Sequence, residues 1–208
     1  MDLESLFILV LESVGTFAFA ISGVRLASAK NFDLFGAYVV GLCTAIGGGT
    51  IRDLLLDVPP FWMLNSLYMF CTGAALLLVF FFSSWLVKLK NTFFIFDTIG
   101  LGLFTVVGIE KTLALGFPFW VAIVMGTITG AAGGILRDVF INEIPLIFRK
   151  EIYALACVVG GLVYWLSLQF NFDGIIAGIA GATAVILCRV IAVRFEITLP
   201  ILQGNEDA

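Results

Sequence analysis

Two short stretches of the chain combine residue types that seldom meet in an apolar sequence. The first reads Gly47-Gly48-Gly49-Thr50-Ile51-Arg52-Asp53 and the second Ala132-Gly133-Gly134-Ile135-Leu136-Arg137-Asp138. Each comes late in a long apolar run. Glycine costs on the order of 1 kcal/mol against alanine inside a helix, so its repetition points to a wanted break or to a close helix crossing. In lipid, freed backbone groups are tolerated only where protein buries them or they line a wet cavity. An Arg–Asp pair three residues on is expensive at membrane depth, where ionisable groups default to a functional role. The motifs are read as broken helices flanking a path for a polar solute. Glu12 and Asp97 add two acids within apolar runs. Thr44 and Thr129 lie one turn before the glycines, where a hydroxyl faces a passing ion or bonds back to its own helix.

Other chemistries lack their residues. There is no histidine, the commonest metal ligand and acid–base group. Cys43, Cys71, Cys157 and Cys188 stand singly, without metal-site spacing. No nucleophile–base spacing occurs, and the glycine motifs match neither a phosphate loop nor a dinucleotide fingerprint. The expectation is no enzyme, no metal and no cofactor. A net charge of −4 without a basic patch excludes nucleic acid as a partner.

The elements that position these residues are apolar. Of 208 residues 61% are hydrophobic and 12% charged, about half the usual charged share, and the mean hydropathy is +1.12. Seven apolar segments fall at roughly 6–25, 34–56, 62–86, 93–111, 118–142, 149–169 and 173–193, each near the ~20 residues that a bilayer core requires. The joints are Lys30-Asn31-Phe32-Asp33, Asp57-Val58-Pro59-Pro60, Lys88-Leu89-Lys90-Asn91, Gly116-Phe117-Pro118 and Asn171-Phe172-Asp173-Gly174. Ala18-Phe19-Ala20 imitates a signal cleavage site, but Asp2 and Glu4 stand where a signal carries positive charge. The predicted fold is an all-α polytopic membrane protein, a single transmembrane domain with a polar, disordered tail over 195–208.

Sliding the chain by 85 residues aligns 12–60 with 97–145 without a gap. Gly15, Phe19, Gly23, Gly41, Thr44, Gly48, Gly49, Arg52, Asp53 and Pro60 meet Gly100, Phe104, Gly108, Gly126, Thr129, Gly133, Gly134, Arg137, Asp138 and Pro145. Glu12 meets Asp97, and Tyr68 meets Tyr153. Each copy (5–87 and 93–170) holds three spans. Three is odd, so the second copy enters the membrane upside down, and an inverted repeat places the solute path at its interface. The seventh span, 173–193, stands outside the repeat, and its small residues suit close packing.

Loop charges set the orientation. Arg25, Lys30, Lys88, Lys90, Arg137, Arg149, Lys150, Arg189 and Arg194 fall on one side, and Arg52 and Lys111 on the other. The positive-inside rule places the C-terminus in the cytoplasm and the N-terminus outside. The simplest pairing joins Glu12 to Arg52 and Asp97 to Arg137. It leaves one acid at each mouth, a charge that concentrates cations. The competing reading is that these ions only lock helices together. Glu110-Lys111 reads as a solvated pair, Phe80 to Phe82 and Phe93-Phe94 as lipid-facing bulk, and Trp62, Trp85, Trp120 and Trp165 as an interfacial belt.

Seven spans arranged as three, three and one, with Gly-Gly-Gly-Thr-Ile-Arg-Asp in the second and Gly-Gly-Ile-Leu-Arg-Asp in the fifth, resemble the bacterial members of the trimeric intracellular cation (TRIC) channel family. The resemblance covers about residues 5–195. It implies a homotrimer in the inner membrane, each protomer with its own pore for monovalent cations, chiefly potassium, and lipids filling gaps in the assembly. It also implies kinks at Gly47, Gly48, Gly49, Gly133 and Gly134, with Arg52 and Arg137 in the pore and its gating. In animal members, lysines at such positions are linked to lipid head groups, whereas this chain has Arg-Asp. Bacterial members also carry the label of glycine transporters, and an inverted repeat suits alternating access as well as it suits a channel.

Overall fold

A computed structural model describes residues 3–88, 92–149 and 151–200, the side chains of 83–88 excepted. Lys90, Lys150, Asp2 and the tail from 201 lie outside these residues, as does the side chain of Trp85. The described chain forms α1 (Leu3–Ala29), α2 (Leu34–Leu55), α3 (Phe61–Leu64), α4 (Leu67–Lys88), α5 (Thr92–Ala114), α6 (Phe119–Phe140), a 3-10 turn (Leu146–Phe148), α7 (Ala154–Gln169) and α8 (Gly174–Arg194).

Local chemistry explains the boundaries. Asp33 caps α2 by accepting from the Gly36 amide at 2.7 Å, and Asp173 caps α8 from Ile176 at 2.8 Å. A carboxylate there satisfies one of the amides that a helix start leaves free. Pro60, Pro118 and Pro145 stand just ahead of α3, α6 and the 3-10 turn. The chain leaves α1, α2, α5 and α6 through left-handed residues Asn31, Asp57, Gly116 and Asn142. These fall in pairs 85 residues apart, so the repeat extends to the turns.

Five helices, α1, α2, α5, α6 and α8, are long and apolar enough to cross a bilayer, while Leu67–Phe82 and Ala154–Gln169 are shorter apolar helices. The core sits where α1 meets α5. Phe19 and Phe104 stack there at 5.5 Å with 12° between planes, each ring lying over the other copy's glycine, Gly100 and Gly15. Large apolar side chains also cover the surface, with Phe70 73%, Phe81 70% and Trp120 70% exposed. Such a surface is a liability in water and suits lipid.

The expected breaks at the glycines are absent: α2 and α6 are each helical from end to end. Instead the glycines bring the two helices together. A Cβ on Gly48 would collide with the Thr129 carbonyl oxygen, and one on Gly133 with that of Thr44. Removing side chains at a crossing lets two backbones approach without disturbing either hydrogen-bond ladder, which is why the same residues serve a crossing as readily as a break. Gly23 and Gly108 do the same for α1 on α2 and α5 on α6, each lying against the threonine, Thr44 or Thr129, of the adjoining helix.

Two boundaries differ from the sequence reading. The sixth apolar segment becomes helical only at Ala154, and Glu151 ahead of it forms an isolated antiparallel bridge with Thr198. Residues 195–200 are therefore anchored in part rather than free. α8 packs closely through its small residues, Gly181 lying against the Gly160 carbonyl of α7.

Candidate functional site

The two Arg–Asp pairs are fully buried ion pairs held by the same contacts. Asp53 Oδ1 accepts from Arg52 Nε at 2.8 Å, and its Oδ2 from the Phe61 amide at 2.8 Å. Asp138 Oδ1 accepts from Arg137 Nε at 2.9 Å, and its Oδ2 from the Leu146 amide at 3.0 Å. Each aspartate thus ties the end of a long helix to the start of the short helical turn that follows. This explains α3 and the 3-10 turn, two elements that sequence reasoning missed. A prolyl residue opens each turn, leaving the next amide free to reach back to the carboxylate.

Around this common centre the copies diverge. Asp97 pairs with Arg137 Nη1, as the spacing predicts, and Ser22 Oγ accepts from the same nitrogen at 2.8 Å. Glu12 does not pair with Arg52. Its carboxylate instead accepts from the Tyr68 hydroxyl, and Arg52 Nη1 and Nη2 meet no hydrogen-bonding group among the described residues. Tyr68 has a repeat mate in Tyr153, whose hydroxyl has no hydrogen-bond partner among the described residues. Aromatic faces cover both arginines, with Phe61 5.7 Å from Arg52 and Phe93 4.6 Å from Arg137. Phe93 and Phe94 are therefore not lipid-facing bulk. Phe94 lies 5.3 Å from a third buried arginine, Arg189, whose Nη1 donates to Glu151 Oε2 at 3.2 Å and to the Ile152 carbonyl at 2.9 Å.

Glu110 and Lys111 are not a solvated pair either. Glu110 accepts from the Tyr164 hydroxyl at 2.6 Å. Lys111 Nζ lies 2.9 Å from Asp53 Oδ1. The first cluster thus holds two acids, Glu12 and Asp53, against two bases, Arg52 and Lys111. The second holds Asp97 and Asp138 against Arg137 alone. Within these ion-paired groups the first copy is balanced and the second has one acid more, but the second recess is also lined by Lys30, Arg149 and Glu143 and the first by Glu110. A lysine at the end of a span beside an acidic cluster was the available signal, but its repeat mate is Leu26, so the alignment hid it.

Each cluster adjoins a recess. One of about 600 Å³ is lined by Glu12, Phe61, Tyr68, Glu110 and Lys111, among others. One of about 310 Å³ is lined by Leu26, Lys30, Phe93, Asp138, Glu143, Leu146 and Arg149, among others. Between them stand Arg52 and Arg137, both 0% exposed, and the Gly48–Gly133 crossing. Gly47 lies against Leu136, Gly49 against the Phe61 ring and Gly134 against the Tyr153 hydroxyl. Thr44 and Thr129 are buried beside the crossing and donate to Val40 and Met125 carbonyls at 2.6 Å, so their hydroxyls bond back to their own helices. Trp62 donates to Thr50 Oγ1 at 3.0 Å.

The chain matches the family model described as Glycine transporter twice, over residues 9–84 and 94–169, two stretches 85 residues apart. It is 38% identical over 200 residues to the UPF0126 inner membrane protein YadS of Escherichia coli K12, covering 95% of this chain and 97% of that one. It is 36% identical over 206 residues to a UPF0126 membrane protein of Vibrio cholerae, covering 95% and 84%. Among solved structures it resembles the TRIC trimeric intracellular cation channel orthologue from Rhodobacter sphaeroides, with a TM-score of 0.86 and 34% identity over 91% of this chain and 98% of that one. A prokaryotic TRIC channel solved in 0.5 M KCl gives 0.85 and 29%, covering 94% and 100%. An all-helical membrane protein with this fold, these relatives and a family model matched in both halves belongs to the bacterial branch of the TRIC channel family, the family also described as Glycine transporter and UPF0126 membrane protein.

Proposed function

We propose that this protein is a monovalent-cation channel, chiefly for potassium, with a path in each protomer between α2 and α6 that joins the Asp53 recess to the Asp138 recess. The observation that carries this reading is the pair of repeat-related recesses, one lined by Asp138 and the other by Phe61 and Lys111, which hold Asp53, with the buried arginines and a glycine-lined helix crossing beside them. In this conformation the path is shut. Arg52 and Arg137, each in the last turn of its helix, are buried, and opening requires α2 and α6 to shift at Gly48 and Gly133. The reciprocal contacts, Gly48 on Thr129 and Gly133 on Thr44, favour two copies related by a two-fold axis in the membrane plane. The seven spans are then two inverted triplets, 5–87 and 93–170, with α8 beside them. Exposed Lys30, Arg149 and Arg194 support an orientation with the Asp138 recess and the C-terminus in the cytoplasm and the N-terminus outside. A homotrimer follows the name of the Rhodobacter relative and an inner-membrane location that of the Escherichia coli one; lipid between protomers is part of the same proposal. No cofactor enters this reading.

Purified protein in a planar bilayer should give unitary K⁺ current steps, and a KCl gradient should give a reversal potential on the cation side. Replacing both Asp53 and Asp138 with lysine should move that potential towards zero, and an unmoved potential would refute cation selection at these mouths. The second reading is a glycine carrier, favoured by the family model's description and by two recesses that do not connect. Proteoliposomes that accumulate labelled glycine against its gradient, and show no current steps, would establish it instead.

A further inference from the structure

The two recesses differ at one position in a way that the repeat makes visible. Asp53 and Asp138 have matching arginine and amide partners. On its recess side, Asp53 also carries the Lys111 ammonium at 2.9 Å, reached across from α5. At the corresponding place beside Asp138 the recess is lined by Leu26, the residue 85 positions earlier. The Lys111 side chain is 27% exposed and Asp53 is 0% exposed, so the ammonium stands between the carboxylate and the open recess. Lysine is a compact point charge on a flexible four-carbon stem. Glu12 and Glu110 line the same recess and offer that charge other resting places.

Resting on the channel reading above, we propose that the Lys111 ammonium is a tethered counter-ion: it fills the cation position at Asp53, must be displaced by each permeating cation, and so makes the two mouths conduct unequally. The position it guards takes a monovalent inorganic cation, for which an ammonium is the nearest side-chain substitute. Among the described residues no lysine pairs with Asp138 in this way; the two cations that line its recess, Lys30 and Arg149, are held by Glu143 instead. One unit charge a few ångströms from a cation position changes local occupancy by roughly two- to fivefold in a wet recess, and the effect shrinks as salt shortens the screening length.

The test is rectification in excised patches, which hold the full-length protein in one orientation, with symmetric KCl. In the wild type, current carried by cations arriving from the Asp53 recess should be the smaller. Lys111→Leu, which copies the other recess, should raise it roughly two- to fivefold at low salt and less at 1 M KCl. Lys111→Arg should keep the wild-type ratio. Leu26→Lys leaves the Asp53–Lys111 pair intact and should reduce current arriving from the Asp138 recess, and the double variant should reverse the rectification. Because Leu26→Lys alters the opposite mouth, the proposal stays testable even if Lys111→Leu fails to assemble. An unchanged ratio in Leu26→Lys, or in a folded Lys111→Leu, would overturn the tethered counter-ion while leaving the channel standing. A wild type without unitary K⁺ steps would remove the channel reading itself.

Discussion

The Arg52–Asp53 and Arg137–Asp138 clusters share their inner contacts and part company at the outer ones. In both, arginine Nε and a backbone amide hold the aspartate. Beyond that, the second copy spends its remaining acid, Asp97, on the arginine, whereas the first gives Glu12 to a tyrosine and brings Lys111 to the aspartate. Contacts that close a helix onto the next turn have been kept twice. Contacts that set the charge of each recess have been allowed to differ. Shared backbone geometry thus serves the fold, and divergent side-chain partners serve whatever distinguishes the two faces.

The sharpest break of this comparison is at the acids. Asp97→Asn should cost about 3–5 kcal/mol, because it leaves a fully buried guanidinium short of its counter-charge. Glu12→Gln should cost only about 1 kcal/mol, since glutamine still accepts from Tyr68. Thermal midpoints of the detergent-purified variants should therefore separate clearly, and equal losses would mean that Glu12 serves Arg52 after all.

Much of this arrangement was legible in the sequence, for a physical reason. Contacts that recur require residues that recur, so the 85-residue offset exposed both Arg–Asp pairs, the glycines and the Asp97–Arg137 pairing. The crossing at Gly48 and Gly133 was misread as a break because both demand the same thing, a bare backbone, and only the distance between helices tells them apart. Lys111 and Ser22 escaped because nothing at their repeat mates resembles them: Leu26 faces Lys111, and Val107 faces Ser22; Arg189 escaped because α8 stands outside the repeat and gives it no mate. Phe93 escaped because an aromatic ring over a buried guanidinium has the same hydropathy as one in lipid.

The tyrosines sharpen the comparison with a smaller effect. Tyr68→Phe should cost about 1–3 kcal/mol, because the buried Glu12 carboxyl loses its donor. Tyr153→Phe should be close to neutral, because the hydroxyl it removes has no partner among the described residues. Guanidinium or thermal unfolding of the two variants side by side reads this directly, and a larger loss at Tyr153 would contradict the division of partners.

The smallest effect belongs to the exposed rim, where the copies again differ. Lys30 Nζ lies 2.5 Å from Glu143 Oε1, tying the end of α1 to the loop after α6, and Arg149 lies 3.4 Å from Glu143 Oε2. The corresponding positions in the other half are Leu115 and Val58, which cannot titrate. The Lys30 hydrogen bond and charge, with Arg149 behind them, hold the Glu143 carboxyl below its ordinary value of 4.5. A group whose folded value is lowered stabilises the fold above its unfolded value and loses that contribution as pH falls through the folded one. The tie should thus be fully present above about pH 4.5 and fade below it. Solvent screens so exposed a pair, so the expected change in midpoint is slight. Glu143→Gln should lower the midpoint marginally at neutral pH and flatten its acid-side slope. An unchanged slope would mean that the rim of the Asp138 recess is held by its apolar contacts alone, as its counterpart at Leu115 and Val58 must be.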